Sequence, residues 1–85
     1  MTIAYSKNFM KQAKKLGKPA RQRLLERIRL FSDNPLHPEL RNHPLRGKYK
    51  AYRSIDVTGD VRALYLTQDH RVIFDAIGTH SQLYG

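Results

Sequence analysis

Cysteine is absent from the 85 residues. No disulfide and no thiolate metal site can staple the fold, so stability has to come from packing, and a reducing compartment suits the chain. Long apolar runs are absent too. No segment approaches the roughly 18 apolar residues that span a membrane. The opening MTIAYSKNFMKQAKK lacks the apolar stretch of a secretory signal. The expectation is a soluble, cytoplasmic protein without a membrane partner. Repeats, low-complexity tracts and linkers are also missing, and the length suits one domain over residues 1–85 with a modest core.

Acidic residues are scarce. Seven Asp and Glu face sixteen Lys and Arg, a formal net charge of +9. A field of that size and sign attracts polyanions, because phosphate contacts release condensed counterions. Nucleic acid is the expected partner class; a basic surface that only aids solubility, or an acidic protein partner, accounts for the same number. There is no glycine-rich phosphate loop. The four histidines lack close ligand spacing, so neither a metal nor a cofactor is expected. A Ser-His-Asp reading has no nucleophile context. RNA cleavage needs none of these, since the ribose 2′-hydroxyl is an internal nucleophile and the protein need only align the attack, stabilise charge and move protons.

What is present sorts into elements. Thr2 to Tyr5 suits an edge strand. Ser6 is a candidate N-cap for a helix over Lys7–Leu16, with Phe9, Ala13 and Leu16 on one face and Gly17 ending it. A second helix starts near Pro19, carries the stripe Ala20, Leu24, Ile28 and Phe31, and stops at Asn34-Pro35. Residues 35–48 read as an irregular connection. The pattern then changes to period two over Tyr49–Val57, Val61–Thr67 and Arg71–Ile77, with tight turns at Thr58-Gly59 and Asp69-His70. The predicted order is β-α-α-β-β-β, an α+β fold with a helical hairpin packed on one face of a mainly antiparallel sheet. With two-residue turns, Tyr52, Val61, Ala63, Tyr65, Val72, Phe74 and Ala76 face the helices. Arg53, Ile55, Arg62, Leu64, Ile73, Asp75 and Ile77 face away. A one-residue bulge in the first turn moves Arg53 to the other side.

Chemistry-bearing residues are few. Arg62 in mid-strand marks either a groove that receives an anion or a solvated arginine on an open sheet. His80 and Tyr84 in GTHSQLYG offer a proton-transfer group and a stacking ring, unless the tail simply frays; Leu83 argues that it packs. His43 stands before the run Arg46-Gly47-Lys48-Tyr49-Lys50, whose interleaved cations and ring can track a phosphate backbone, though a loop histidine without a role fits as well. His37 and His70 read as ordinary loop and turn residues.

These same residues carry a resemblance. HPLRGKYKAYRSIDVTGDVRALYL together with GTHSQLYG resembles the YafQ branch of the RelE/ParE toxin superfamily. It rests on the His-Pro-Leu-x-Gly turn, on Asp60-x-Arg62-x-x-Tyr65 and on the terminal Gly-Thr-His-x-x-Leu-aromatic-Gly, with element order matching along the whole chain. The resemblance implies a RelE-like fold and a ribosome-dependent endoribonuclease of a type II toxin–antitoxin system, which cuts mRNA without a metal and is held inactive by a cognate antitoxin. It implies that His43, Asp60, Arg62, His80 and Tyr84 form the catalytic site, and that Arg46, Lys48, Lys50 and Arg53 bind RNA. Two positions depart from the branch: Asp56 stands where its members carry a histidine, and Ala76 where they carry an arginine. A gyrase inhibitor of the ParE kind shares the fold and charge but needs no histidine pair. A non-toxic RNA-binding module is the third possibility, and growth arrest on induction would exclude it.

Overall fold

A computed structural model describes residues 1–85. Five strands form one sheet in the order β1-β5-β4-β3-β2: β1 is Thr2–Tyr5, β2 His43–Pro44, β3 Arg53–Asp56, β4 Val61–Gln68 and β5 Arg71–Thr79. β1 runs parallel to β5 and the other pairs are antiparallel. Helices α1 (Lys7–Ala13) and α2 (Lys18–Asp33) follow β1, and a short α3 (His80–Tyr84) ends the chain. The predicted α+β class and the helix-covered antiparallel sheet are what the structure contains. It adds β2 and α3, which the alternation pattern did not reveal. No helix is long and apolar enough to cross a membrane.

The first helix is capped as expected: the Ser6 hydroxyl accepts from Phe9 N at 3.0 Å. It stops at Ala13, three residues early, and Gly17 serves as N-cap of α2 with Pro19 in its first turn. Phe9, Leu24 and Phe31 sink into the sheet, where Phe31 stands edge-on to Tyr65 and Phe74 at 4.9 and 5.3 Å. Beyond Tyr5 the edge of β5 is covered by α1. Asn8 Nδ2 donates to the Asp75 carbonyl at 2.9 Å, and Ile77 N donates to Gln12 Oε1 at 2.9 Å. Those side chains satisfy backbone groups that an open sheet edge would leave bare.

Two irregularities decide which residues face the helices. The first turn holds three residues, Thr58, Gly59 and Asp60, with Val57 N and Thr58 N both donating to the Val61 carbonyl. This is the one-residue bulge that moves Arg53, and it moves Ile55 as well; Ile55 is fully buried in the helix-side core. Tyr52 correspondingly lies on the opposite face, edge-on to Tyr49. The second irregularity is in β5. Leu64 pairs with Ala76 and Tyr65 with Phe74, so Asp75 is an extra residue. Its carboxylate accepts from the Tyr52 hydroxyl at 2.8 Å. The bulge turns Ile77 into the core and Ala76 out of it, reversing the predicted placement of both. The Asp69-His70 turn is the expected two-residue type, with φ of 52° and 65°.

Candidate active site

The site lies on the sheet face away from α1 and α2, over β3, β4 and the end of β5. Four features build it. The first is the 35–48 connection, which is irregular but anchored. Asn42 Nδ2 donates to the Pro35 carbonyl at 2.9 Å and to the Tyr65 hydroxyl at 2.7 Å, while its Oδ1 accepts from Arg53 Nε at 2.8 Å. His43 follows directly and pairs with Ser54 across β2 and β3. Arg41 adopts a left-handed conformation, φ 49°, which brings its carbonyl to 2.8 Å from His43 Nδ1. A carbonyl can only accept, so Nδ1 carries the proton, which in the neutral ring leaves the lone pair on Nε2.

The second feature is Arg62. Its Nε donates to Asp56 Oδ1 at 2.9 Å, and its Nη1 donates to the carbonyls of Thr58 at 2.8 Å and Val61 at 3.2 Å. The third is the tail. Thr79 and Gln82 form a reciprocal capping box: Gln82 N donates to Thr79 Oγ1 at 3.2 Å and Thr79 N to Gln82 Oε1 at 2.8 Å. Gln82 folds over Gly78 so closely that a Cβ there would meet its Oε1 at 2.9 Å. α3 thus begins at His80, and the rings of His80 and Tyr84 meet at a tilt one turn apart, with centroids 4.8 Å from each other. The fourth is Tyr49, in a 3-10 turn over Gly47–Tyr49. Its hydroxyl donates to the Leu83 carbonyl at 3.3 Å and its ring meets Tyr84 edge-on at 5.1 Å, which ties the tail across the sheet.

Together these elements enclose an open cleft of about 320 Å³ lined by His43, Leu45, Arg46, Tyr49, Ser54, Arg62, His80 and Tyr84. Five of the residues picked from the sequence therefore meet in one place: His43, Arg46, Arg62, His80 and Tyr84. Burial of the Tyr84 phenol raises its pKa above the ordinary value of about 10, with neighbouring Tyr49 adding to the rise and Arg62 opposing it, so the ring is neutral at physiological pH.

Other expectations change. Asp60 does not line this cleft. It borders an adjoining depression of about 280 Å³ with Gly59, Arg62, Thr79, His80 and Ser81, on the side of His80 rather than of His43. Arg53 lies on the helix side of the sheet, held by Asn42, because of the three-residue turn. Lys48 and Lys50 are exposed and do not line the cleft; the Lys48 ammonium is 5.3 Å from the Tyr49 ring. The sequence reading passed over Ser54, named the Tyr49 ring only within the basic run that can track RNA, and named Asp56 only as a departure. Thr79-x-x-Gln82 is a capping signature that announces α3. No local pattern places Tyr49 in the cleft, because its partners are 34 and 35 residues away.

The fold and the cleft define a small basic α+β protein with two histidines, an arginine and a tyrosine gathered on the open sheet face. Comparison with known proteins narrows this. The family described as "Bacterial toxin of type II toxin-antitoxin system, YafQ" matches residues 1–85. The mRNA interferase toxin YafQ of Escherichia coli K12 is 32% identical over 87 residues, covering 98% of this chain and 95% of that one. The crystal structure of E. coli YafQ superposes with a TM-score of 0.84 at 31% identity, covering 98% of this chain and 97% of that one. YafQ in the DinJ–YafQ complex gives 0.80 at 31%, over 98% and 96%. The RelB–RelE complex of Methanococcus jannaschii, at 21% identity over 95% and 94% of the two chains, shares the fold with a TM-score of 0.77. The chain belongs to the YafQ family of type II toxin–antitoxin toxins.

Proposed function

We propose that the cleft cleaves mRNA on the ribosome, as an endoribonuclease that uses the substrate's own 2′-hydroxyl and no metal. The observation that carries this is the convergence of His43, Arg62, His80 and Tyr84 on one cleft from three separate parts of the chain. His43, with Nδ1–H committed to the Arg41 carbonyl, has Nε2 free to take the proton of the 2′-hydroxyl. The 2′-oxygen bonds to phosphorus, the bond to the 5′-oxygen breaks, and His80 gives that oxygen a proton. Arg62 stabilises the charge on the phosphorane. Tyr84, neutral and tilted against the His80 ring, orients a neighbouring base. Asp60, in the depression next to His80, serves that side of the reaction. Arg46, Lys48 and Lys50 hold the RNA backbone. The products are a 2′,3′-cyclic phosphate, or the 3′-phosphate it hydrolyses to, and a 5′-hydroxyl.

The partner in this reading is an antitoxin, as DinJ is for E. coli YafQ in their complex; the net charge of +9 favours an acidic or amphipathic segment. In vitro translation with mapping of mRNA 5′ ends tests the activity. His80→Ala is expected to lower cleavage about 100-fold or more, the usual contribution of a positioned acid or base, with much less effect on RNA binding. Equal rates for the variant and wild type remove His80 from the mechanism. Induction that raises DNA-damage signalling while mRNA stays intact would instead favour a gyrase inhibitor.

A further inference from the structure

Two of the three guanidinium nitrogens of Arg62 are engaged. Nε is taken by Asp56, and Nη1 by the Thr58 and Val61 carbonyls. Nη2 has no partner within the protein. Arg62 lines both the main cleft and the depression beside it, whereas Asp56 lines neither. Asp56 faces Arg62 directly across β3 and β4, and its side chain is only 17% exposed. Its second oxygen is 3.7 Å from Arg41 Nε, on a side chain that is 77% exposed and so contributes little restraint.

We propose that Asp56 is a positioning residue for Arg62. It fixes the plane and rotation of the guanidinium, so that the Nη2 edge is the one presented to a phosphate in the cleft. The inference rests on reading the cleft as an RNA-cleaving site. Its physical basis is the rotamer freedom of arginine: a fork ordered before substrate arrives need not be ordered in the transition state. The same carboxylate has an opposite effect on binding. It offsets part of the Arg62 charge and weakens attraction for a ground-state phosphate. Loss of Asp56 therefore slows turnover without weakening substrate binding, a split that a general packing defect does not produce.

The experiment uses the full chain on programmed ribosomes, comparing kcat and KM for wild type, Asp56→Ala, Asp56→Asn, Arg62→Ala, Arg62→Lys and Asp56→Ala/Arg62→Ala. Asp56→Ala is expected to lose about tenfold or more in kcat with KM unchanged or lower. Asp56→Asn retains an acceptor for Nε and recovers most of kcat. Arg62→Lys keeps the charge but has no fork to grip, and is as slow as Arg62→Ala. The double variant is no slower than Arg62→Ala. Wild-type kcat in Asp56→Ala, or losses that multiply in the double variant, overturns the proposal. A second readout is independent of activity: the Arg62 Nε–H signal in nitrogen-correlated NMR. It should be protected from exchange in wild type and Asp56→Asn and lost in Asp56→Ala; persistence in Asp56→Ala also overturns the proposal. A wild-type chain that leaves ribosome-bound mRNA intact defeats the reading of the cleft, and the NMR result then decides the positioning role separately.

Discussion

Asn42 does not line the cleft, yet it sets where His43 stands. Its amide joins the Pro35 carbonyl, the Tyr65 hydroxyl and Arg53, so three distant parts of the chain meet at one small side chain. Tyr65 is buried, and its hydroxyl loses this partner when Asn42 is shortened. Asn42→Ala should lower unfolding free energy by about 1–3 kcal/mol, the cost of leaving buried polar groups unpaired. Urea denaturation measures it, and a change under about 0.5 kcal/mol, the range of neutral surface substitutions, would show that water replaces the amide. The sequence marked His43, Arg62, His80 and Tyr84 because their chemistry is visible in their residue types. Asn42 and Asp56 act only through partners at other positions, so nothing in their neighbours announced them.

At the scale of elements, the tail is a helix rather than an extension, and Gly78 is what lets it turn. Gln82 closes the capping box by lying over Gly78, where a Cβ would come within 2.9 Å of Oε1 and 3.2 Å of Gln82 Cβ. Gly78→Val is expected to open the capping box and displace α3 from Tyr49 and Arg62. Cleavage should fall at least tenfold, since a catalytic group shifted by about 1 Å can cost 100-fold. The helix-side core, which does not include Gly78, should keep the rest of the chain folded. Cleavage assays paired with circular dichroism check both halves, and full activity in Gly78→Val would show that α3 tolerates another seat. The strands were legible through alternation, and α1 and α2 through their apolar stripes. α3 shows no such stripe, because five residues are too few to display a period, and only the Thr79-x-x-Gln82 capping pair marks it. β2 was hidden because two residues cannot alternate visibly.

Across the whole molecule, charge and topology divide the work. The excess of nine positive charges supplies a long-range attraction for polyanions that needs no particular arrangement. The exposed Lys48 and Lys50 should contribute to it one phosphate at a time. Alanine at either position is expected to weaken RNA binding regardless of sequence and to reduce the slope of log affinity against log salt by about 0.7. Fluorescence titration across a salt series reads this, and an unchanged slope removes that lysine from the interface. Composition by itself set the net charge of +9 and, with no cysteine, the dependence on packing for stability, since these follow from counts of residues. The periods of 3.6 and 2 determined that two helices cover a mainly antiparallel sheet. Only the tertiary structure decided which face each side chain takes. One extra residue in the Thr58–Asp60 turn and one at Asp75 invert the strands beyond them, and a period of two cannot reveal an inversion that leaves the alternation intact. That is why Arg53 and Ile77 moved to the helix side while Arg62 stayed on the open face, where Asp56 could reach it.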